Sequence, residues 1–296
     1  MDRTAIEEKV TQGIIDRLEA GVAPWTRPWT TDGYLPTSLS TGKVYRGINT
    51  LILASATADH EYTSPLWATY KQIGALGGQV RKGEKSTAIV FWNIVKREDR
   101  VDGEDVVRRF PLLRYYNVFN VEQADGLTLP PRFTKEREPV EFDEALDTVV
   151  DGYVDGPTLT YAAQGRAFYV PSEDRVTLPK REQFDSSEGY AETLFHELTH
   201  STGHPTRCNR FTATGGSGSF GCKSYAEEEL VAEMGSALLA AHTGVTINLD
   251  NSAAYVQSWL RTLKDDRSLV IKAAQKAQKA VDRILNHDPA ADKEDE

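Results

Sequence analysis

Residues 190–203 read YAETLFHELTHSTG and contain His196-Glu197-Leu198-Thr199-His200, a match to H-E-x-x-H. An α-helix turns once every 3.6 residues, so positions four apart share a face. His196 and His200 can therefore present two imidazoles to one Zn²⁺, with Glu197 within reach of the water such an ion activates. Ser187 and Glu188 offer a helix start, Leu194 and Leu198 apolar anchors, and Gly203 a stop. Drawn at random from this composition, the pattern arises in roughly one chain in a hundred of this length.

Two histidines need a third protein donor, with the fourth position left for water or substrate. The best source is residues 224–242, SYAEEELVAEMGSALLAAH. Ser224 and Glu227 have capping-box spacing, and Leu230, Met234 and Leu238 form an i, i+4, i+8 stripe. Glu227 and Glu228 fall in the first turn, where the helix dipole is reason enough for a carboxylate. Glu229 and Glu233 share a face bordering the apolar stripe, where an acid needs another reason. One of them is expected to bind the ion. The other can accept the free N–H of a ligand histidine.

Outward from this pair of helices, the 296 residues suffice for two domains, and 40% hydrophobic with 26% charged is an ordinary globular composition. No apolar run approaches the roughly 18 residues of a membrane span. The start, MDRTAIEEKV, is charged and helical in pattern and does not read as a secretory signal. Cys208 and Cys222, without C-x-x-C spacing, read as thiols of a cytosolic protein, with a disulfide between them left open. A cytoplasmic protein with no membrane partner is expected.

The net charge is −10, but it is uneven. Residues 1–125 hold 16 Lys/Arg and 16 Asp/Glu, whereas residues 126–296 hold 18 and 28. Within Ser40–Arg97 there are 8 basic residues against 3 acidic ones, and a local basic surface is what nucleic acid recognises. The cations are interleaved with aromatics: Lys43, Tyr45 and Arg46; Lys71; Arg81, Lys82 and Lys85; Arg108, Arg109, Arg114, Tyr115 and Tyr116. Single strands are bound by this mixture, cations tracking the backbone and rings stacking on bases. Trp25 and Trp29, in APWTRPW, serve either that purpose or the edge of the core. The loop GGQVRKGEKS lacks the G-K-[ST] ending of a P-loop.

The element pattern completes the expectation. Helices are read at Thr4–Leu18, Ile48–Ala58, Phe142–Val150, Asn251–Leu263 and Arg267–Leu285, the last as a solvent-exposed one. Ser64-Pro65 reads as the start of a further helix to Gly74, with Leu66, Tyr70 and Ile73 inward. Ala88–Lys96 and Arg108–Val121 form a hairpin across Asp102-Gly103, and Ala167–Val170 with Arg175–Leu178 a second. Domain bounds follow: 1–128, a Pro- and charge-rich linker 129–140, 141–288, and a disordered acidic tail 289–296. The segment Pro205–Gly221, with TGGSGSFG, can act as a lid. His60, His204, His242 and His287 lack ligand spacing; His204, four past His200, stays open as a substrate contact.

TLFHELTHSTGHPTRCNR followed by YAEEELVAEMG resembles the metallopeptidase domain of ArdC-type antirestriction proteins, with a gluzincin arrangement of the acids. YRGIN, LGGQVRKGEKSTAIVFW and YYNVFNVEQ resemble the N-terminal single-stranded-DNA-binding domain of the same family, which also occurs fused in plasmid primases. The resemblance covers roughly Thr4 to Gly244. It implies an α+β protein of two domains, an ssDNA-binding one and a zincin-like one, with one Zn²⁺ or another divalent transition metal per chain. It also decides between the acids: Glu229 as ligand with His196 and His200, Glu233 behind a histidine, Glu197 as general base. An edge strand beside the metal, holding a peptide, is implied too, as is protection of incoming conjugative plasmid DNA from host restriction.

Two classes of function remain open on the sequence. One is a working peptidase directed by DNA toward an unknown host protein. The other is a DNA-binding shield whose metal site is structural or vestigial. Glu197 favours the first, because a purely structural site needs no general base.

Overall fold

The computed structural model describes residues 3–20, 35–101, 104–133, 142–211, 223–245 and 253–288. Trp25, Trp29, most of the linker, the TGGSGSFG connection, Cys222 and the acidic tail lie outside the described residues, as do the side chains of Arg108 and Arg109.

The N-terminal half runs α1 (Arg3–Glu19), β1 (Thr37–Ser38), α2 (Ile48–Asp59), β2 (Leu66–Thr69), α3 (Tyr70–Ala75), β3 (Gln79–Val80), β4 (Thr87–Val101), β5 (Glu104–Asn120) and β6 (Ala124–Asp125). Its main sheet has the order β1-β2-β5-β4. The β4–β5 hairpin keeps register from Thr87↔Val118 to Val101↔Glu104, so only Asp102 and Gly103 separate the strands. Strand β4 is an edge, and an edge leaves backbone groups unpaired. Asn49 of α2 answers this directly: its Nδ2 donates to Val90 O at 2.7 Å and its Oδ1 accepts from Val90 N at 2.8 Å.

The helix expected from Ser64 is half strand. Leu66, Trp67 and Ala68 are buried on both parities, because β2 lies between β1 and β5 and is covered on both faces. The helix starts only at α3, where Thr69 and Gln72 form a capping box that the Ser-Pro signal obscured. Tyr70, expected inward, is 55% exposed. Leu127, with Leu129 and Phe133 from the start of the expected linker, packs against the cluster of Leu39, Leu66, Ile73 and Val80.

The C-terminal half runs α4 (Phe142–Gly152), β7 (Thr158–Ala162), β8 (Phe168–Val170), β9 (Arg175–Pro179), α5 (Ser187–Ser201), α6 (Lys223–Thr243), α7 (Ala253–Asp265) and α8 (Leu269–Ile284). Its sheet order is β7-β9-β8. The strand just before the histidine helix, β9, is therefore central, and the edges are β7 and β8. Strand β7, whose TLTYA carries little apolar signal, pairs parallel with β9, so the strand expected to be the edge beside the metal is covered on both sides.

One hydrophobic cluster crosses the two halves. Ile14 and Leu18 of α1, Leu51 of α2 and Val90 of β4 join Leu194 and Phe195 of α5, Met234 and Leu238 of α6, Trp259 of α7 and Val270 of α8. Helix α8 is central rather than solvent-exposed. Ala273, Ala274, Ala277 and Ala280 form a buried stripe while Lys272, Lys276 and Lys279 face out. Alanine, small enough to let helices approach, carries little of the apolar signal that marks a buried face. Polar ties reinforce the joint: Arg46 Nη2 donates to both Asp282 oxygens at 2.6 Å, and Gly47 N donates to Gln278 Oε1 at 2.8 Å.

Candidate metal centre

Helix α5 is capped by Ser186, whose Oγ accepts from Gly189 N at 3.1 Å, one residue before the expected start. Its apolar face buries Leu194, Phe195 and Leu198. That fixes the rotation of the helix and turns His196 and His200 to one side. Gly203 does not end the helix by a left-handed turn. An added Cβ there would meet the Phe211 ring at 2.5 Å, so its lack of a side chain makes room for the chain returning after the helix.

Helix α6 packs directly on α5. A Cβ on Gly235 would lie 2.7 Å from Thr199 Oγ1 and closer still to its Cγ2, so glycine sets the separation of the two helices. At that separation Glu229 reaches the histidines. The two imidazole Nε2 atoms are 3.0 Å apart. Glu229 Oε2 lies 3.6 Å from His196 Nε2, and its Oε1 3.5 Å from His200 Nε2. One donor atom from each residue falls within 4.8 Å of the others. Glu197 is buried, with 8% exposure, and its charge raises the proton affinity of both histidines.

The outer nitrogens are partnered as well. His196 Nδ1 is 3.7 Å from Glu233 Oε1, and His200 Nδ1 is 3.4 Å from Glu228 Oε1. Glu228 is the residue that the sequence reading missed. A place in the first turn seemed to account for it, yet it is buried and held by Arg210, Nε to Oε2 at 2.9 Å and Nη2 to Oε1 at 2.6 Å. Arg210 also donates to Thr199 O at 2.9 Å and Thr202 Oγ1 at 2.6 Å, clamping the end of α5 to α6. Its only sequence signal was nearness to the motif.

Electrostatics favour positive charge at the centre. Burial works against a proton on His200, but contacts with Glu228 and Glu229 outweigh it and push its pKa up to about 10. His196 is raised in the same way, burial being outweighed by Glu229. Burial would raise Glu229, but the two histidines hold it well below the usual carboxylate range. Burial raises Glu233. Two imidazoles, a facing carboxylate and a carboxylate behind each ring make a donor set that fits a divalent cation.

The basic and aromatic residues do not form one surface. Tyr45 packs against Leu53, Trp67 and Ile89, and burial pushes its phenol up to about 12. Arg46 is tied to Asp282. Both are spent on the fold, which argues against their use as nucleic-acid contacts. Arg81 pairs with Glu84 at 2.8 Å and Asp125 at 3.4 Å. Lys43 is half-buried, while Lys71, Lys82, Lys85, Arg114, Tyr115 and Tyr116 are exposed. Tyr115 and Tyr116, grouped together by sequence, project to opposite faces of the sheet because strand side chains alternate. Phe91 stands edge-on to Tyr116 at 5.4 Å, and Tyr70 to Phe119 at 6.4 Å; none of Tyr70, Phe91 and Phe119 was read as a candidate contact. His204 Nδ1 is partnered by Thr206 Oγ1 at 2.8 Å. Cys208 is a free thiol. Among the described residues no helix is long and apolar enough to cross a membrane.

Residues 155–276 match the family model of a zincin-like metallopeptidase, and residues 4–119 that of the N-terminal domain of anti-restriction factor ArdC. Two DNA primases TraC of Escherichia coli are 38% and 37% identical across 94% of this chain, which spans only 20% and 27% of their lengths. The uncharacterized protein y4eC of Sinorhizobium fredii is 35% identical, with 94% of this chain covering 91% of it. Among solved structures, the metal-free antirestriction ArdC protein from plasmid R388 superposes with a TM-score of 0.78 at 40% identity, over 95% of this chain and 98% of that one. Its Mn(II)-bound form gives 0.77 at 40% identity, over 95% and 97%.

Proposed function

Because the chain belongs to the ArdC antirestriction family, we propose that it binds single-stranded DNA and carries a divalent-metal peptidase site, protecting incoming conjugative plasmid DNA from restriction. Its place of action is the recipient cytoplasm, and its second partner there is a host protein that it cleaves. The observation that carries the hydrolytic reading is the convergence of His196, His200 and Glu229 beside buried Glu197.

In this reading His196, His200 and Glu229 hold the cation, zinc in the first instance. When bound, it supplies Lewis acidity to a peptide carbonyl and makes a water molecule acidic enough to react near neutral pH. Glu197 takes a proton from the attacking water and returns it to the leaving amine. Glu228, 3.4 Å from His200 Nδ1, accepts its N–H, and the charge of Glu233, 3.7 Å from His196 Nδ1, favours the proton on that nitrogen, so that each Nε2 is kept free to coordinate. The Arg210 guanidinium keeps Glu228 ionised and able to accept. Burial works against the charge on Glu228, and the two hydrogen bonds from Arg210 outweigh it. A base placed in this way favours hydrolysis over a structural role for the metal.

The test is a restriction-protection assay during conjugation, comparing wild type with Glu197→Ala. Loss of a positioned general base costs about 10²- to 10⁴-fold in rate. The variant is expected to lose protection while shifting single-stranded DNA in gels as wild type does. Full protection by Glu197→Ala would assign antirestriction to DNA binding alone.

A further inference from the structure

A groove of about 710 Å³ lies far along the chain from the histidines, lined by α3, β3, the following turn, and the ends of β5 and β6. Tyr70 contributes a ring that is 55% exposed yet held in place. Its hydroxyl accepts from Gln79 Nε2 at 2.7 Å, and its ring meets Phe119 edge-on at 6.4 Å and 66°. An edge-to-face neighbour blocks at most one face of a ring, and an exposure of 55% leaves the other face of Tyr70 for a flat ligand.

Charge narrows the ligand further. Glu84 and Asp125, the two acids of the groove, are both engaged by Arg81. Lys82 lines the same groove, is exposed, and has no ion-pair partner among the described residues. Lys71, next to Tyr70, is in the same condition. A fixed aromatic face with unspent cations beside it matches a base attached to a phosphate.

The sheet supplies a direction. Phe119, Asn117 and Tyr115 alternate onto one face of β5, and Asn117 and Tyr115 are exposed. Tyr115 stands roughly 13 Å along the strand from Phe119, at about 3.3 Å per residue. Phe91 and Tyr116 lie on the opposite face, where Ile89 and Val118 turn into the small core with Leu53 and Trp67.

We propose that this groove is a nucleotide subsite for single-stranded DNA, the base stacked on Tyr70 and a phosphate on Lys82, with the strand continuing toward Tyr115 and not across Tyr116. The inference rests on the reading that the N-terminal half binds single strands, and it adds the place and the path.

The experiment is fluorescence anisotropy of the full chain with a 5′-labelled oligothymidylate over a range of salt, for wild type, Tyr70→Leu, Tyr70→Phe, Lys82→Ala and Tyr116→Leu. Removing one stacking ring should weaken binding about 5- to 150-fold in Tyr70→Leu. Tyr70→Phe keeps the ring and should bind close to wild type. Lys82→Ala should flatten the logarithmic salt slope by about 0.7, the loss of one phosphate contact. Tyr116→Leu should change little. Wild-type binding by Tyr70→Leu, or an equal loss in Tyr116→Leu, would overturn the subsite while leaving the DNA reading intact. A wild type that does not bind the oligonucleotide refutes the DNA reading and the subsite together. Unchanged circular dichroism and thermal unfolding of Tyr70→Leu show that its loss is local.

Discussion

Gly235→Ala separates the packing of the two helices from the chemistry they carry. Placing alanine in a helix interior ordinarily stabilises by about 0.5–1 kcal/mol. Here the new Cβ would sit 2.7 Å from Thr199 Oγ1, and nearer to Cγ2. Carbon contacts prefer 3.5–4.0 Å, so α6 must retreat by about 1 Å. Thr199 cannot turn aside cheaply, because it is fully buried and its hydroxyl donates to Phe195 O at 2.8 Å. Overpacking of this kind costs about 1–3 kcal/mol, which leaves a net loss of roughly 0.5–2 kcal/mol. Glu229 rides on the same helix and moves with it. Metal bonds hold their lengths to about 0.2 Å, and displaced support costs about 10- to 100-fold in affinity. The variant should therefore unfold at a slightly lower temperature and lose cation much more readily in a chelator competition. Thr199→Ala in the same chain removes both clashing atoms and should restore retention. A Gly235→Ala protein that is more stable than wild type, with unchanged cation affinity, would refute the close-packing argument.

Two further outcomes follow from ion pairs of the C-terminal half. Arg210 and Glu228 have side chains only 6% and 8% exposed, so Arg210→Ala strands a carboxylate and should cost about 3–5 kcal/mol in denaturant unfolding, partly recovered by adding Glu228→Gln. Burial would raise Asp174, but hydrogen bonds from Arg207 and Tyr169 hold it below its usual value. A depressed carboxylate stabilises fully above its unfolded value of about 3.9 and less as pH falls through its folded value. The stability gap between wild type and Asp174→Asn should accordingly be constant near neutrality and close in acid; a gap that widens in acid contradicts the pairing.

What could be read from sequence was what depends on short-range spacing. His196 and His200 are four apart, and the helix that carries them has a strong apolar face, so their convergence needed no tertiary information. Glu229 was legible by family pattern, and its reach depends on Gly235, whose meaning appears only when α5 lies against it. Glu228 was read as a helix-start charge because nothing in the sequence shows Arg210 folding back onto it. The strand at Leu66–Thr69 was hidden by a local Ser-Pro signal that sheet pairing overrides. Helix α8 was misread from its AQKAQKA middle, where the buried face is alanine, although Val270, Ile271, Val281 and Ile284 toward its ends are buried too. Tyr115 and Tyr116 looked like one aromatic platform until the strand period put them on opposite faces.

Cation content tests the central claim most directly. Wild type, Glu197→Gln, Glu233→Gln and Glu229→Gln are dialysed against Zn²⁺, washed with a weak chelator and measured by elemental analysis. If His196, His200 and Glu229 are the ligands and Glu197 is the base, wild type and Glu197→Gln retain about one equivalent per chain. Glu233→Gln should retain less, and Glu229→Gln least of all. A Glu229→Gln protein that keeps a full equivalent, or that outlasts Glu233→Gln, contradicts the account.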